Sequence, residues 1–313
     1  MHRPRQHFPG LGEVVLKLGK LSPKLPRNTY APELKLPFGA KFVDASFTCA
    51  AGTRTYKAFV PSARPARPRG LIVMLHGCTQ NAADFAAGTR MNEFAENEGM
   101  LVVYPNQTSQ SNSSGCWNWF NPRDQIHGRG EPSIIAGLTS DLILKYDINP
   151  AQVFVAGLSA GGAMAVIMGH TYPELYSAIG VHSGLPYQSA NDVISAFAAM
   201  RGDTKASLSR LKPKVIVFHG EADTIVHPSN ARAIASVGHI STIKQIDGVS
   251  ADGRKYTRTI VEDDDQKSYS ELWILQGAGH AWSGGSPAGS YTDSKGPDAS
   301  REMMRFFLNR EDA

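Results

Sequence analysis

Val153-Phe154-Val155-Ala156-Gly157-Leu158-Ser159-Ala160-Gly161-Gly162-Ala163-Met164 is the stretch on which the reading of the fold turns. Its first four residues are β-branched, aromatic or small, the pattern of a buried strand. The middle reads Gly-x-Ser-x-Gly. From Gly162 to Gly169 the chain is mostly small and apolar with no proline, as a buried helix would be. Strand, sharp turn and helix in that order are the setting of a nucleophile elbow, where a serine is held out at the tip of the turn. Side chains flanking Ser159 would collide with neighbouring backbone. Glycine at 157 and 161 removes them and tolerates strained dihedrals. The Ala160 amide would then sit at a helix N-terminus, where negative charge is stabilised. A plain loop can also carry Gly-x-Ser-x-Gly, so the rest of the chain has to decide.

On either side of this stretch, strand-like and helix-like segments alternate. Phe47–Cys49 and Thr53–Val60, separated by Ala-Ala-Gly, predict a hairpin. Leu71–Leu75 is a continuous apolar run, typical of a strand buried on both faces, and it ends in His76-Gly77-Cys78-Thr79-Gln80. A helix from about Asp84 to Asn97 and a strand at Leu101–Tyr104 follow. Residues 109–129 form a long polar and aromatic loop. Pro132 is expected to start a helix reaching about Tyr146. Beyond the elbow come a strand at Ala178–His182, a helix with loop in 188–212, a strand at Lys214–Phe218 and a helix from about Pro228 to Val237. Lys255–Val261 and Ser270–Leu275 read as strands around an acidic turn at Glu262–Asp265. An amphipathic helix spans Asp298 to Asn309. This alternation predicts an α/β fold, a doubly wound and mostly parallel sheet with helices on both faces. In such sheets ligands bind beyond the C-terminal strand ends. Residues 1–40 are expected to be a basic, proline-rich arm with one short helix near Val14–Leu18. Residues 41–313 are expected to be one catalytic domain with a small cap at 186–212.

A serine hydroxyl is a poor nucleophile near neutral pH and needs a base oriented by a carboxylate. The α/β-hydrolase arrangement supplies them in the chain order Ser, acid, His. Asp223, just past a strand in Gly-Glu-Ala-Asp, and His280, just past another in Gly-Ala-Gly-His, fit that order after Ser159. Glu221 is the alternative acid, and Asp223 could instead cap the following turn. His219 and His182 end apolar strands and read as packed core residues. His227 and His239 read as facing solvent. Acyl transfer also needs two donors for an oxyanion. The Ala160 and Cys78 backbone N–H groups stand in the two loops that would supply them. Trp117 and Trp119, two residues apart, would share a face of an extended chain, either as a packed pair or as an apolar platform for substrate. Trp282 would line the site from beside His280.

Composition excludes several other classes. The 313 residues are 42% hydrophobic with 30 glycines, as in a globular protein with a sizeable core. Of the net charge of +4, residues 1–35 hold seven Lys/Arg against two Asp/Glu, and the remainder holds 25 against 26. The basic character belongs to the arm, so no folded basic face for nucleic acid is expected. No run approaches the roughly 18 apolar residues of a membrane span. Cys49, Cys78 and Cys116 have no zinc-site spacing, and their odd number leaves a free thiol. No metal or cofactor site is expected, and the oligomeric state stays open. Basic residues near the start precede no apolar signal core. That suggests a cytoplasmic protein, or an extracellular or periplasmic one whose signal was trimmed.

LHGCTQ at 75–80, CWNWF at 116–120, GRGEPSIIAGL at 128–138, GLSAGGAM at 157–164, SGLPY at 183–187, HGEAD at 219–223 and GHAWSGG at 279–285 occur in this order. Together they resemble the polyhydroxybutyrate depolymerase family of esterases, over about residues 45–310. The resemblance implies an α/β-hydrolase with a Ser159–Asp223–His280 triad and no cofactor. It implies a serine carboxyl-ester hydrolase for short-chain or hydroxyalkanoate esters. Because the family also contains feruloyl- and acetylxylan-type enzymes, esters on plant polysaccharides are the alternative. A peptidase or thioesterase of the same fold also stays open, as does a non-catalytic carbohydrate- or polymer-binding protein. The resemblance further implies a Cys78–Cys116 disulfide with Cys49 free, which would suit an oxidising compartment.

Overall fold

Runs of apolar residues with no polar interruption become the middle of one ten-stranded sheet. The structure is a computed structural model, and it describes residues 36–62, 67–203, 211–235, 242–262 and 268–310. The strands are β1 (Lys41–Cys49), β2 (Gly52–Val60), β3 (Gly70–Leu75), β4 (Met100–Pro105), β5 (Val153–Leu158), β6 (Ala178–His182), β7 (Lys214–Gly220), β8 (Thr242–Val249), β9 (Lys255–Glu262) and β10 (Ser268–Leu275). They lie in the order β1-β2-β4-β3-β5-β6-β7-β10-β9-β8. From β4 to β10 the neighbours are parallel. Every residue of β3, β4, β5 and β6 is buried, as strands covered on both faces require. The two edges are antiparallel: β1 and β2 form the expected hairpin, and β9 and β8 turn back from β10.

Helices cover both faces. Gly130–Tyr146 and Ala160–Thr171 pack into one half of the core. Ala82–Thr89, Met91–Glu98 and Ala299–Phe307 pack into the other. The register aligns the C-terminal strand ends along one rim. Leu75 lies beside Gly157, Leu158 beside His182, His182 beside Phe218, and Gly220 beside Leu275. The loops after β3, β5, β6, β7 and β10 therefore leave from neighbouring points.

Several expected boundaries differ. The helix read over Asp84–Asn97 is two helices, broken where Arg90 adopts a left-handed φ of 56° and its N–H caps Ala86 O. The helix expected from Pro132 starts at Gly130, so proline stands inside its first turn. β8 was not expected, because its described side chains are mostly exposed and lack a buried apolar face. Within 186–212 the structure describes the helix Val193–Met200. It opens with a capping box between Asp192 and Ser195, and it docks through Ala199 O, which accepts from Asn230 Nδ2 (2.9 Å). The short helix expected near residues 14–18, most of the arm, residues 204–210, His239 and the tip of the acidic turn lie outside the described residues. Among the described residues no helix is long and apolar enough to cross a membrane, and no three His, Cys, Asp or Glu side chains group as a metal site.

Candidate active site

Ser159 sits between β5 and the helix Ala160–Thr171 with φ 57° and ψ −120°, a conformation non-glycine residues rarely hold. Its N–H donates to His182 O at 2.9 Å, which fixes the turn to the end of β6. The flanking glycines act through space. A Cβ on Gly157 would lie 2.4 Å from the Gly161 carbonyl, and one on Gly161 would lie 2.0 Å from Leu75 O. Neither glycine has a positive φ, so the strain that was expected to fall on them rests on the serine itself.

His280 Nδ1 lies 2.8 Å from Asp223 Oδ2. The carboxylate can only accept, so the Nδ1–H donates and Nε2 of the neutral ring keeps a lone pair. Asp223 Oδ1 accepts from the Ile225 and Val226 amides, both at 2.9 Å. The two readings of Asp223, turn cap and histidine partner, thus use different oxygens of one carboxylate. Burial alone would raise this carboxyl. Hydrogen bonds from His219 and His280 outweigh burial and hold it well below the usual carboxylate range. Glu221, the alternative acid, is exposed and accepts from Gly277 N–H at 3.3 Å. His219 is wholly buried. Its Nε2–H donates to Val226 O at 2.7 Å and lies 3.4 Å from Asp223 Oδ2. His182 is wholly buried as well, and His227 is exposed beside Ser229. Of the described histidines at the strand ends, His280 alone combines a direct 2.8 Å carboxylate contact with partial exposure.

The loop after β3 is braced from several directions. Gly77 N–H donates to Gln80 Oε1 (2.9 Å), and Gln80 Nε2 donates to Asp84 Oδ2 (3.0 Å) and Ser290 O (3.1 Å). Thr79 N–H donates to Ser114 O (2.9 Å), and Trp117 Nε1–H donates to His76 O (3.1 Å). The Cys78–Cys116 disulfide is present, with Cα atoms 4.2 Å apart, and Cys49 is a free thiol. Neither the Cys78 nor the Ala160 N–H donates to a backbone acceptor among the described residues. Both are therefore available for an oxyanion.

Of the two readings of Trp117 the structure favours a packed residue, and Trp282, expected to line the site, is packed as well. Trp117 is fully buried beneath His76, with ring centroids 5.7 Å apart. Trp282 is 1% exposed and packs edge-on to Phe85 and face-on to His182. Both side chains are buried in the core beneath the strand-end loops. Trp119 is 6% exposed and packs edge-on to Phe120. Glu131 was quoted in a motif without a role, and it is the buried anchor of the aromatic loop. It accepts from Asn118 N–H (2.7 Å), Asn118 Nδ2 (2.8 Å), Arg54 (3.2 Å) and Gln107 Nε2. Burial, and Asp124 nearby, push its carboxyl up against those bonds. An acidic residue in the first turn of a helix was the available signal.

The sequence model of the family described as "Esterase PHB depolymerase" matches residues 54–262. Poly(3-hydroxyalkanoate) depolymerase C of Paucimonas lemoignei is 32% identical over 236 residues, covering 71% of this chain and 56% of that protein. Acetylxylan esterase A of Talaromyces purpureogenus is 35% identical over 202 residues, covering 58% and 51%. The chain thus spans about half the length of these curated relatives. Among solved structures, the acetyl xylan esterase from Aspergillus awamori superimposes with a TM-score of 0.66 at 21% identity, covering 82% of this chain and 94% of that one, a likeness of fold.

Proposed function

The chain belongs to the esterase PHB depolymerase family, and from that premise we propose that it is a serine carboxyl-ester hydrolase working through an acyl-enzyme. The observation that carries the reading is the His280–Asp223 hydrogen bond at 2.8 Å, on the same rim as a serine in elbow backbone. Ser159 Oγ attacks the ester carbonyl while His280 Nε2 takes its proton. Asp223 holds the Nδ1–H tautomer and stabilises the imidazolium that forms. The Cys78 and Ala160 amides receive the oxyanion, each worth roughly 3–4 kcal/mol in the transition state. The imidazolium then protonates the leaving alcohol. Water, activated by the same ring, releases the acid.

For substrate, the reading is short-chain or hydroxyalkanoate esters, supported by the likeness to a poly(3-hydroxyalkanoate) depolymerase. The likeness to an acetylxylan esterase at 35% identity favours polysaccharide esters as the second reading. A panel of 3-hydroxybutyrate oligomers, methyl ferulate, acetylated xylan and p-nitrophenyl esters ranks them by kcat/KM. The activity itself is tested with an organophosphonate and one variant. The reagent is expected to label Ser159, and Ser159→Ala is expected to lose about 10⁴-fold or more in kcat with its fold intact. Near-full turnover of a p-nitrophenyl ester by that variant would remove the serine from the chemistry.

A further inference from the structure

His182 touches both halves of the proposed machinery, although it reads in sequence as a core residue. Its carbonyl accepts the Ser159 N–H at 2.9 Å. Its ring Nε2 accepts the Ser283 N–H at 3.1 Å, three residues beyond His280. A backbone N–H can only donate, so Nε2 carries no proton and the ring proton sits on Nδ1, 3.2 Å from Ser183 Oγ. The ring is wholly buried and lies face-on to both Phe218 (6.0 Å) and Trp282 (5.3 Å). The segment it grips is fixed from the far side too. Trp282 N–H donates to Tyr291 O (2.7 Å), and Ser283 Oγ donates to Pro297 O (2.7 Å).

We propose that His182 is a positioning residue that sets the spacing between nucleophile and base, its main chain holding Ser159 and its ring holding the segment that carries His280. This rests on the reading of Ser159 and His280 given above. Filling space does not require an imidazole here. The ring stacks on Phe218 and Trp282, where a phenylalanine would stack too, though it would also lose the Nδ1 contact with Ser183 Oγ. What phenylalanine lacks is the acceptor. Ser283 N–H is left over by the short strand pair in which Trp282 and Gly284 donate to Tyr291 and Asp293, so it needs a partner. Burial, with His219 and His280 nearby, pushes the His182 ring down to about 3. The acceptor therefore persists wherever His280 can act as a base. A misplacement of about 1 Å between reacting groups can cost on the order of 10²-fold in rate.

The test separates position from folding. His182→Phe keeps the stack and removes the acceptor. His182→Gln returns a carboxamide oxygen near the Nε2 position. Functional sites are counted in each by labelling to completion with a p-nitrophenyl phosphonate, and kcat and KM are measured per labelled site. His182→Phe is expected to lose about 10- to 100-fold in kcat per site with KM within about twofold, and His182→Gln to recover most of it. Unchanged kcat per site in His182→Phe, with only fewer sites or a lower Tm, would make the residue merely structural and overturn the proposal. So would His182→Gln performing no better than His182→Phe. If His182→Phe does not fold, His182→Asn replaces it, since its shorter oxygen cannot reach Ser283. Equal kcat per site in the Asn and Gln variants then overturns the proposal. Absence of label at Ser159 in the unsubstituted protein is a different result, and it defeats the hydrolase reading instead.

Discussion

Ser159 pays for its place at the tip of the elbow with strained backbone, and its two neighbouring glycines make the turn sterically possible. Gly161 packs against the end of β3 so closely that a methyl group would enter the Leu75 carbonyl, and its Cβ would also lie 2.6 Å from His76 O. Both clashes are with backbone, which cannot rotate away. Gly161→Ala is therefore expected to destabilise by about 3 kcal/mol or more, and to reduce kcat by pulling the elbow away from the loop that carries Cys78. Gly279, next to His280, is the internal control. A Cβ there meets nothing within 4 Å, and its φ is not positive. Gly279→Ala should stay within about 0.5 kcal/mol, as surface changes do. Urea denaturation of the two variants checks the contrast, and equal costs would refute it.

The aromatic loop is the element that links the core to the chemistry. Its Cys116 is bonded to Cys78, Trp117 holds the His76 carbonyl, and Glu131 gathers the loop's amides from the first turn of the helix Gly130–Tyr146. Closing a 38-residue separation removes chain entropy from the unfolded state, typically worth 2–4 kcal/mol. Cys116→Ser should cost about that much in urea denaturation, and dithiothreitol should reproduce it in the unsubstituted protein. It should also lower kcat more than it raises KM, because the loop it releases presents an oxyanion donor. Unchanged stability and kcat would show that the hydrogen bonds alone hold the loop. Sequence gave partial access to this element. Leu71–Leu75 and Val153–Leu158 were legible because strands buried on both faces leave an uninterrupted apolar run. Ser159, Asp223 and His280 followed from what comes after such runs. The disulfide came from the family resemblance, as no spacing rule yields it. Sequence left the packed and substrate-facing readings of Trp117 undecided and missed the burial of Trp282, since both depend on residues distant in the chain. β8 was not legible either, because an exposed edge strand takes its conformation from its neighbour β9.

Across the whole molecule, the six parallel strands in the middle of the sheet deliver their following loops to one rim and also carry imidazoles into buried positions. His76 and His182 are buried at the ends of β3 and β6, and His170 is half-buried at the end of the elbow helix. Burial holds His76 and His170 near 4 and His182 near 3, against 6.5 for a free imidazole. Well above pH 6.5 these rings are neutral both folded and unfolded, and they give stability no pH dependence. As pH falls below 6.5 the unfolded chain takes up as many as about three protons that the fold refuses, so stability is lost until the native rings also titrate near pH 4 to 3. Each such proton contributes a slope of about 1.4 kcal/mol per pH unit. Asp223, held below the usual range, extends the loss below pH 4, where its unfolded form protonates and its native form does not. Asp124, Glu131 and Asp298 act in the opposite sense, because burial raises their carboxyls and lets the fold keep protons the unfolded chain has released. They reduce the slope that the imidazoles set. The urea midpoint is therefore expected to fall from pH 6.5 downward. A midpoint that stays level or rises between pH 6.5 and 5 would mean that the raised carboxyls outweigh the buried imidazoles, or that those imidazoles accept protons in the fold. The same scan on His182→Gln should show a shallower fall, since one of the refused protons no longer has a site in the unfolded chain.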